Sequence, residues 1–137
     1  MEIIEVCEVL IINSNQQVLL QLRDKDPKIN GSAKWGMIGG GKEIKETPLE
    51  CIKREVREEL GLDITPIFIS EIEDIGGDKI YHHFIYSFLY QGNIQNIFLR
   101  EGQKIKFFGL KEIMELDKVE WFERVYLSVI KKLDINV

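Results

Sequence analysis

The sequence predicts an α+β fold, a mixed and mostly antiparallel sheet with helices packed on it. Two patterns lead there. Runs rich in β-branched and aromatic residues recur at 3–12, 18–23, 35–38, 64–75, 79–90 and 105–110, several of them separated by short turn sequences that favour antiparallel neighbours. Helical periodicity is confined to 48–60, 111–116 and 119–133. At 137 residues the chain is read as one domain, 1–137, with 45% hydrophobic and 30% charged residues supporting a real core.

The elements follow in order. EVCEVLII reads as the first strand, and polar Asn13 to Gln17 turn it into VLLQLR. A polar loop, RDKDPKINGSAK, leads to a short strand, Trp35 to Ile38, that ends in Gly39, Gly40 and Gly41. The best-signalled helix comes next. Thr47 is its N-cap, Pro48 suits the first helical position, Glu50 completes a T-x-x-E capping box and Gly61 stops it. Leu49, Ile52, Val56 and Leu60 form its apolar stripe, with Glu55, Glu58 and Glu59 to one side and Lys53, Arg54 and Arg57 to the other. ITPIFISEIEDI and KIYHHFIYSFLY flank Gly76-Gly77-Asp78 as a hairpin. IKFFGL is the last strand, followed by KEIMEL and VEWFERVYLSVIKKL as amphipathic helices, with Trp121 and Phe122 expected in the core.

Composition excludes several function classes. Net charge is −5 with a pI near 5.1, unsuited to neutralising the phosphates of polymeric nucleic acid. No apolar run is long enough to span a bilayer. The N-terminal segment carries Glu2, Glu5 and Glu8 and lacks a basic start, so it reads as a strand and not as a secretory signal. Cys7 and Cys51 make no disulfide framework, and with His82 and His83 they offer no zinc spacing. A reduced, cytoplasmic protein without membrane or nucleic-acid partners is expected.

The charge on the helix needs a reason. Glu55, Glu58 and Glu59 fall within five residues on one face, where like charges repel by a few tenths of a kcal/mol per pair. Such a patch of hard oxygen ligands suits Mg²⁺ or Mn²⁺, which need few carboxylates and keep waters and substrate phosphates in their shell. The adjoining glycines let backbone approach an ion and a pyrophosphate closely.

The segment GGGKEIKETPLECIKREVREELGL, 39–62, resembles the Nudix box, G-x5-E-x7-R-E-U-x-E-E-x-G-U with U aliphatic, filled here at every specified position. Chance would fill it at a given start on the order of once in a billion. The resemblance implies a Nudix-type α/β/α sandwich and a Mg²⁺-dependent (or Mn²⁺-dependent) hydrolase of phosphoanhydrides. It implies metal binding by Glu55, Glu58, Glu59 and the Gly40 carbonyl, and structural support from Glu46, Arg54 and Gly61, with an Arg54–Glu46 ion pair. EGQ followed by a strand with aromatics resembles MutT-type members, which implies that Glu101 reaches the metal site; Glu55 and Glu101 are then alternative bases. Arg23, Trp35, Gly39, Gly40 and Tyr81 are expected to bind substrate, and His83 is a further candidate for the base pocket. His82 and His83 point to opposite faces of a strand, so at most one of them serves a site.

The sequence departs from the family pattern at Ile38, where a proline is common, and at Lys45, where a glycine is common. The proline of ADP-ribose members and a coenzyme A signature are missing, and Tyr81 falls near but not on the dinucleoside polyphosphate offset. The expected substrate is therefore a small nucleoside di- or triphosphate derivative, with MutT-like (d)NTP pyrophosphohydrolysis preferred. Nucleotide-sugar or dinucleoside polyphosphate hydrolysis, non-catalytic nucleotide sensing, and a diphosphate isomerase using Cys51 are the alternatives. A monomer or homodimer is expected.

Overall fold

The structure, a computed structural model, describes residues 1–26, 28, 33–118 and 122–130. Its strands are β1 (Glu2–Ile12), β2 (Val18–Leu22), β3 (Trp35–Gly36), β4 (Ile38–Gly41), β5 (Ile67–Gly76), β6 (Lys79–Leu89) and β7 (Lys104–Phe108). Its helices are α1 (Pro48–Leu60), α2 (Leu110–Glu115) and α3 (Phe122–Ile130), with a 3₁₀ turn at Ile94–Asn96.

The strands form one sheet in the order β3-β2-β1-β6-β5, with β4 paired to β1 and β7 to β2. β1 and β6 run parallel and the other pairs antiparallel, so the sheet is mixed as expected. One edge of β1 is shared between two partners. β4 takes Val6 to Val9, and β2 takes Ile12.

Alternation along the strands sends side chains to two separate cores. Cys7, Val9, Ile11, Leu19, Ile38 and Phe84 pack under Cys51, Ile52, Val56 and Leu60 of α1. Leu10, Leu20, Met37, Ile85 and Phe108 pack under Ile113 of α2 and Val125, Tyr126 and Val129 of α3. The result is three layers, helix on sheet on helices. Burying each large aliphatic side chain contributes about 1.5–3 kcal/mol, so two such cores fix the sheet between its helices.

Several expected boundaries move. The strand expected at 35–38 divides at Met37, and the glycines expected at its end lie inside a separate strand, β4. The cause is non-local, because β1 pairs with them. Leu49 is 39% exposed, and fully buried Cys51 takes the inward place beside Ile52. β5 begins at Ile67, after Pro66, and not at Ile64. Val119, Trp121 and Leu133, expected in the last helix, lie outside the described residues.

Candidate active site

The box helix starts where its caps dictate. Thr47 Oγ1 accepts from the Glu50 amide at 3.1 Å, and Glu50 Oε1 accepts from the Thr47 amide at 2.8 Å. Gly61 ends the helix at φ 67°, ψ 22°, a left-handed conformation that glycine adopts without strain. Between these limits Glu55 and Glu59 of α1 face β4. The segment can lie close because it has no side chains. A Cβ on Gly40 would sit 2.6 Å from Glu55 Oε1. Gly39 has φ +151°, and a Cβ there would sit 2.0 Å from the Cys7 carbonyl oxygen of β1. The Gly39 amide donates to Glu59 Oε2 at 3.1 Å, which ties the sheet to the helix.

Arg54 organises the acidic face. Its Nε and Nη2 donate to both oxygens of Glu46, at 3.0 and 2.7 Å, and Nη2 also donates to the Gly41 carbonyl at 3.1 Å. The Arg54–Glu46 pair is thus present in two-pronged form. These bonds hold the Glu46 carboxyl down at about 2, against a smaller opposing effect of burial. Nη1 donates to Glu55 Oε1 at 3.0 Å and to Glu58 Oε2 at 3.2 Å. The sequence placed Arg54 on the far side of the stripe from the glutamates, but its length lets the guanidinium reach across and relieve their repulsion.

Beside this network lies a cavity of about 320 Å³ lined by Arg23, Gly39, Gly40, Glu55, Glu59 and Glu101. It gathers six residues that the sequence nominated. Gln21, Asp24 and Gly102 also line it and were not nominated. Gln21 is buried and its amide donates to the Glu101 carbonyl, positioning the loop that carries Glu101. Its signal was a polar residue in an otherwise apolar strand. Glu59 is 5% exposed. Burial, then repulsion from Glu55 and Glu101, pushes its carboxyl up to about 9, while the Gly39 amide and Arg23 pull the other way. Burial also raises the Glu55 carboxyl, opposed by Arg54 and assisted by Glu58 and Glu101. Arg23 Nε is buried without a hydrogen-bond partner among the described residues. Glu58 is exposed and does not line this cavity; it is linked to the cavity-lining Glu55 by their shared partner Arg54 Nη1.

A second cavity, of about 190 Å³, shares Arg23, Gly39 and Gly40 with the first. It adds Val6, Glu8, Met37, Gly41, Tyr81 and His83. Strand alternation puts Glu8 on the Leu10 side of β1 and His83 on the Ile85 side of β6, the sheet face away from α1. Tyr81 therefore lies in a cavity next to the acidic one. His82 is on the other face, beside Glu71 at 3.1 Å and stacked on Phe84. Trp35 lines neither cavity. Its ring packs edge-on against Phe108, with centroids 4.8 Å apart, and Lys104 Nζ lies 5.7 Å over it.

The donor chemistry fits a hard divalent cation: the carboxyl-bearing Glu55, Glu59 and Glu101 line one cavity beside a glycine segment, and burial with neighbouring acids raises the Glu59 carboxyl. Among the described residues no three such groups are already drawn into a cage. Arg54 Nη1 stands between Glu55 and Glu58, so ligation by both would require it to give way. Cys51 suits an isomerase nucleophile poorly. It is fully buried, and contact with the Cys7 thiol, with burial, pushes its own thiol up, away from the reactive thiolate.

A family model described as the NUDIX domain matches residues 4–129. Among solved structures, a MutT protein from Methanosarcina mazei Go1 superposes with TM-score 0.81 at 20% identity, covering 98% of this chain and 97% of its own. The NUDIX domain of Shewanella oneidensis NrtR, complexed with ADP ribose, gives TM-score 0.78 at 12% identity, covering 97% and 90%. A bifunctional NMN adenylyltransferase/ADP ribose pyrophosphatase from Francisella tularensis, complexed with AMP and a Mn ion, gives TM-score 0.71 at 20% identity, covering 94% of this chain and 41% of that longer one. At these identities the superpositions establish the shared fold. Among the described residues no helix is long and apolar enough to cross a membrane.

Proposed function

The chain belongs to the NUDIX domain family, and from that premise we propose that it hydrolyses a phosphoanhydride bond in a small nucleoside di- or triphosphate derivative, with Mg²⁺ or Mn²⁺ as cofactor. MutT-like (d)NTP pyrophosphohydrolysis is the preferred form. One observation carries the reading. A buried guanidinium nitrogen of Arg23 without a partner among the described residues borders the same cavity as Glu55, Glu59 and Glu101. A cation poised for an anion, facing a wall of acids poised for a metal, is the arrangement a metal-bound polyphosphate needs.

Roles divide by environment. Arg23 binds a phosphate oxygen. Glu55, Glu59 and the Gly40 carbonyl would hold the metal on the cavity side, with Glu58 joining when Arg54 yields it and Glu101 reaching in from its loop. The metal, when bound, supplies charge neutralisation of the phosphate oxygens and an acidified water. Glu59 would have to lose its proton to solvent before it could serve as a ligand. Glu55 and Glu101, which both line the cavity, are the two candidates to take a proton from the attacking water. Arg54 and Glu46 keep the helix and the glycine strand in register, so that in-line geometry is set before substrate arrives.

The test is phosphate and pyrophosphate release from a panel of nucleoside triphosphates, nucleotide-sugars and dinucleoside polyphosphates with Mg²⁺ or Mn²⁺. Glu58→Gln and Glu59→Gln should each lose most activity, and full activity in both variants would end the proposal. Two of the neighbours, by their names, bind or act on ADP ribose, which favours nucleotide-sugars as a second substrate class. A nucleoside monophosphate appearing with a sugar phosphate, in place of pyrophosphate, would select that class. Tight nucleotide binding without turnover would instead point to a sensing role.

A further inference from the structure

We propose that Glu8, held by His83, is the specificity-determining residue of this site and selects a nucleobase carrying an exocyclic amine over uracil or thymine. The inference rests on the nucleotide-hydrolase reading above and concerns the second cavity. That cavity adjoins the acidic one through Arg23, Gly39 and Gly40, so a nucleotide whose phosphates meet Arg23 has its base within reach of it. Met37 and Tyr81 give it apolar and aromatic walls suited to a flat ring.

The polar group in that wall is unusual for its place. Glu8 is 4% exposed and His83 is 1% exposed. Along the same face of β1 the neighbouring positions are Val6 and Leu10, so packing alone would be met by another aliphatic residue. A buried carboxylate is costly unless its oxygens are bonded. Glu8 accepts one bond among the described residues, from His83 Nδ1 to Oε1 at 2.7 Å, with the imidazole as donor to an acceptor-only group. That bond fixes the carboxylate and leaves the lone pairs of Oε2 for a donor arriving in the cavity.

The chemistry of the donor follows. Cytosine and adenine carry an N–H₂ group at C4 and C6, and guanine carries one at C2 beside its ring N–H, whereas uracil and thymine have no exocyclic amine and offer a single ring N–H flanked by two carbonyl oxygens. A carboxylate bonds an amine and repels a carbonyl. One charge-assisted hydrogen bond gained or lost shifts kcat/KM on the order of tenfold to a hundredfold.

The experiment compares nucleotides that differ at one amine: CTP with UTP, and GTP with ITP. The native chain should favour the amine-bearing member of at least one pair by about tenfold or more. Glu8→Gln offers an amide that accepts and donates, so the ratio should collapse while a thermal melt reports any purely structural cost. A second readout needs neither turnover nor metal. The side-chain imidazole resonances of His83 should move with CMP or GMP and stay in place with UMP and IMP. Equal kcat/KM within both pairs overturns the proposal and leaves the hydrolase reading standing, and so does a preserved ratio in folded Glu8→Gln. If no nucleotide is turned over, the hydrolase reading fails and the His83 resonances alone decide base selection. They also decide it if Glu8→Gln does not fold, and an unmoved or indifferent His83 signal overturns the proposal.

Discussion

Glu59→Gln separates the metal site from the fold it burdens. In the metal-free protein the Glu59 carboxyl is held at about 9 against an ordinary 4.5. The unfolded chain therefore gives up this proton first as pH rises, and the folded state binds more protons across the interval. A carboxyl raised in this way contributes stability that is complete below its unfolded pKa and is lost as pH climbs through the folded one. The limiting slope is about 1.4 kcal/mol per pH unit, and solvent entry and relaxation around Glu59 are expected to lower its folded pKa and so roughly halve the pH interval over which that slope applies. Between about pH 5 and pH 8 the metal-free native protein should thus lose about 2 kcal/mol relative to Glu59→Gln. The glutamine keeps a carbonyl oxygen for the Gly39 amide, so little else changes. Urea unfolding in chelator, at several pH values, measures the difference between the two proteins. A difference that stays flat over this range would show that Glu59 is already ionised in the folded metal-free state, and the argument from burial would be wrong.

Three further outcomes follow from the geometry. Gly39→Ala forces a side chain into the Cys7 carbonyl at a φ of +151° and should destabilise the fold by about 3 kcal/mol, read by thermal or urea unfolding. Gly40→Ala meets only the movable end of Glu55. It should cost under about 1 kcal/mol in stability yet lower kcat/KM at least about tenfold by displacing that carboxylate, and equal effects of the two variants on stability would contradict this contrast. Arg54→Lys keeps the charge but loses the fork that grips Glu46, and should cost about 1–2 kcal/mol. The Glu46 carboxyl, now held at about 2, should titrate closer to the ordinary range by NMR. Its contribution to stability, complete above the unfolded pKa and lost as pH falls through the folded one, then disappears earlier on acidification.

What was legible in the sequence was local. The α1 caps lie within three residues of their partners, and the box residues sit at fixed helical offsets, so both could be read from spacing. Pairings across the sheet could not. The glycines after Ile38 resemble a loop in sequence, yet they form a strand because β1 supplies the ladder. Glu8 looked like an interruption of an apolar run, since the His83 that makes sense of it is 75 residues away. Trp35, expected as a stacking aromatic for substrate, has a packing partner that spacing could not reveal: its β3 position opposite Leu22 sets its ring against Phe108. The number of residues between two groups decides which kind of inference holds.

The position of the glycine run in β4 joins these observations. The acidic cavity takes its glutamates from the α1 side of the sheet, and the Glu8 cavity lies on the other side, yet both are bordered by Gly39 and Gly40. In an ordinary strand, consecutive side chains would fill both faces in turn. Here a side chain at Gly40 would enter the first cavity against Glu55, and one at Gly39 would strike the β1 backbone. At Gly39, glycine is therefore required by the sheet itself. A strand without side chains leaves the sheet one backbone thick between two recesses, with Arg23 at the border of both. On the proposed reading, phosphate chemistry and base selection would be tuned by separate residues, Glu59 on one face and Glu8 on the other, with Arg23 and the glycine strand common to both recesses.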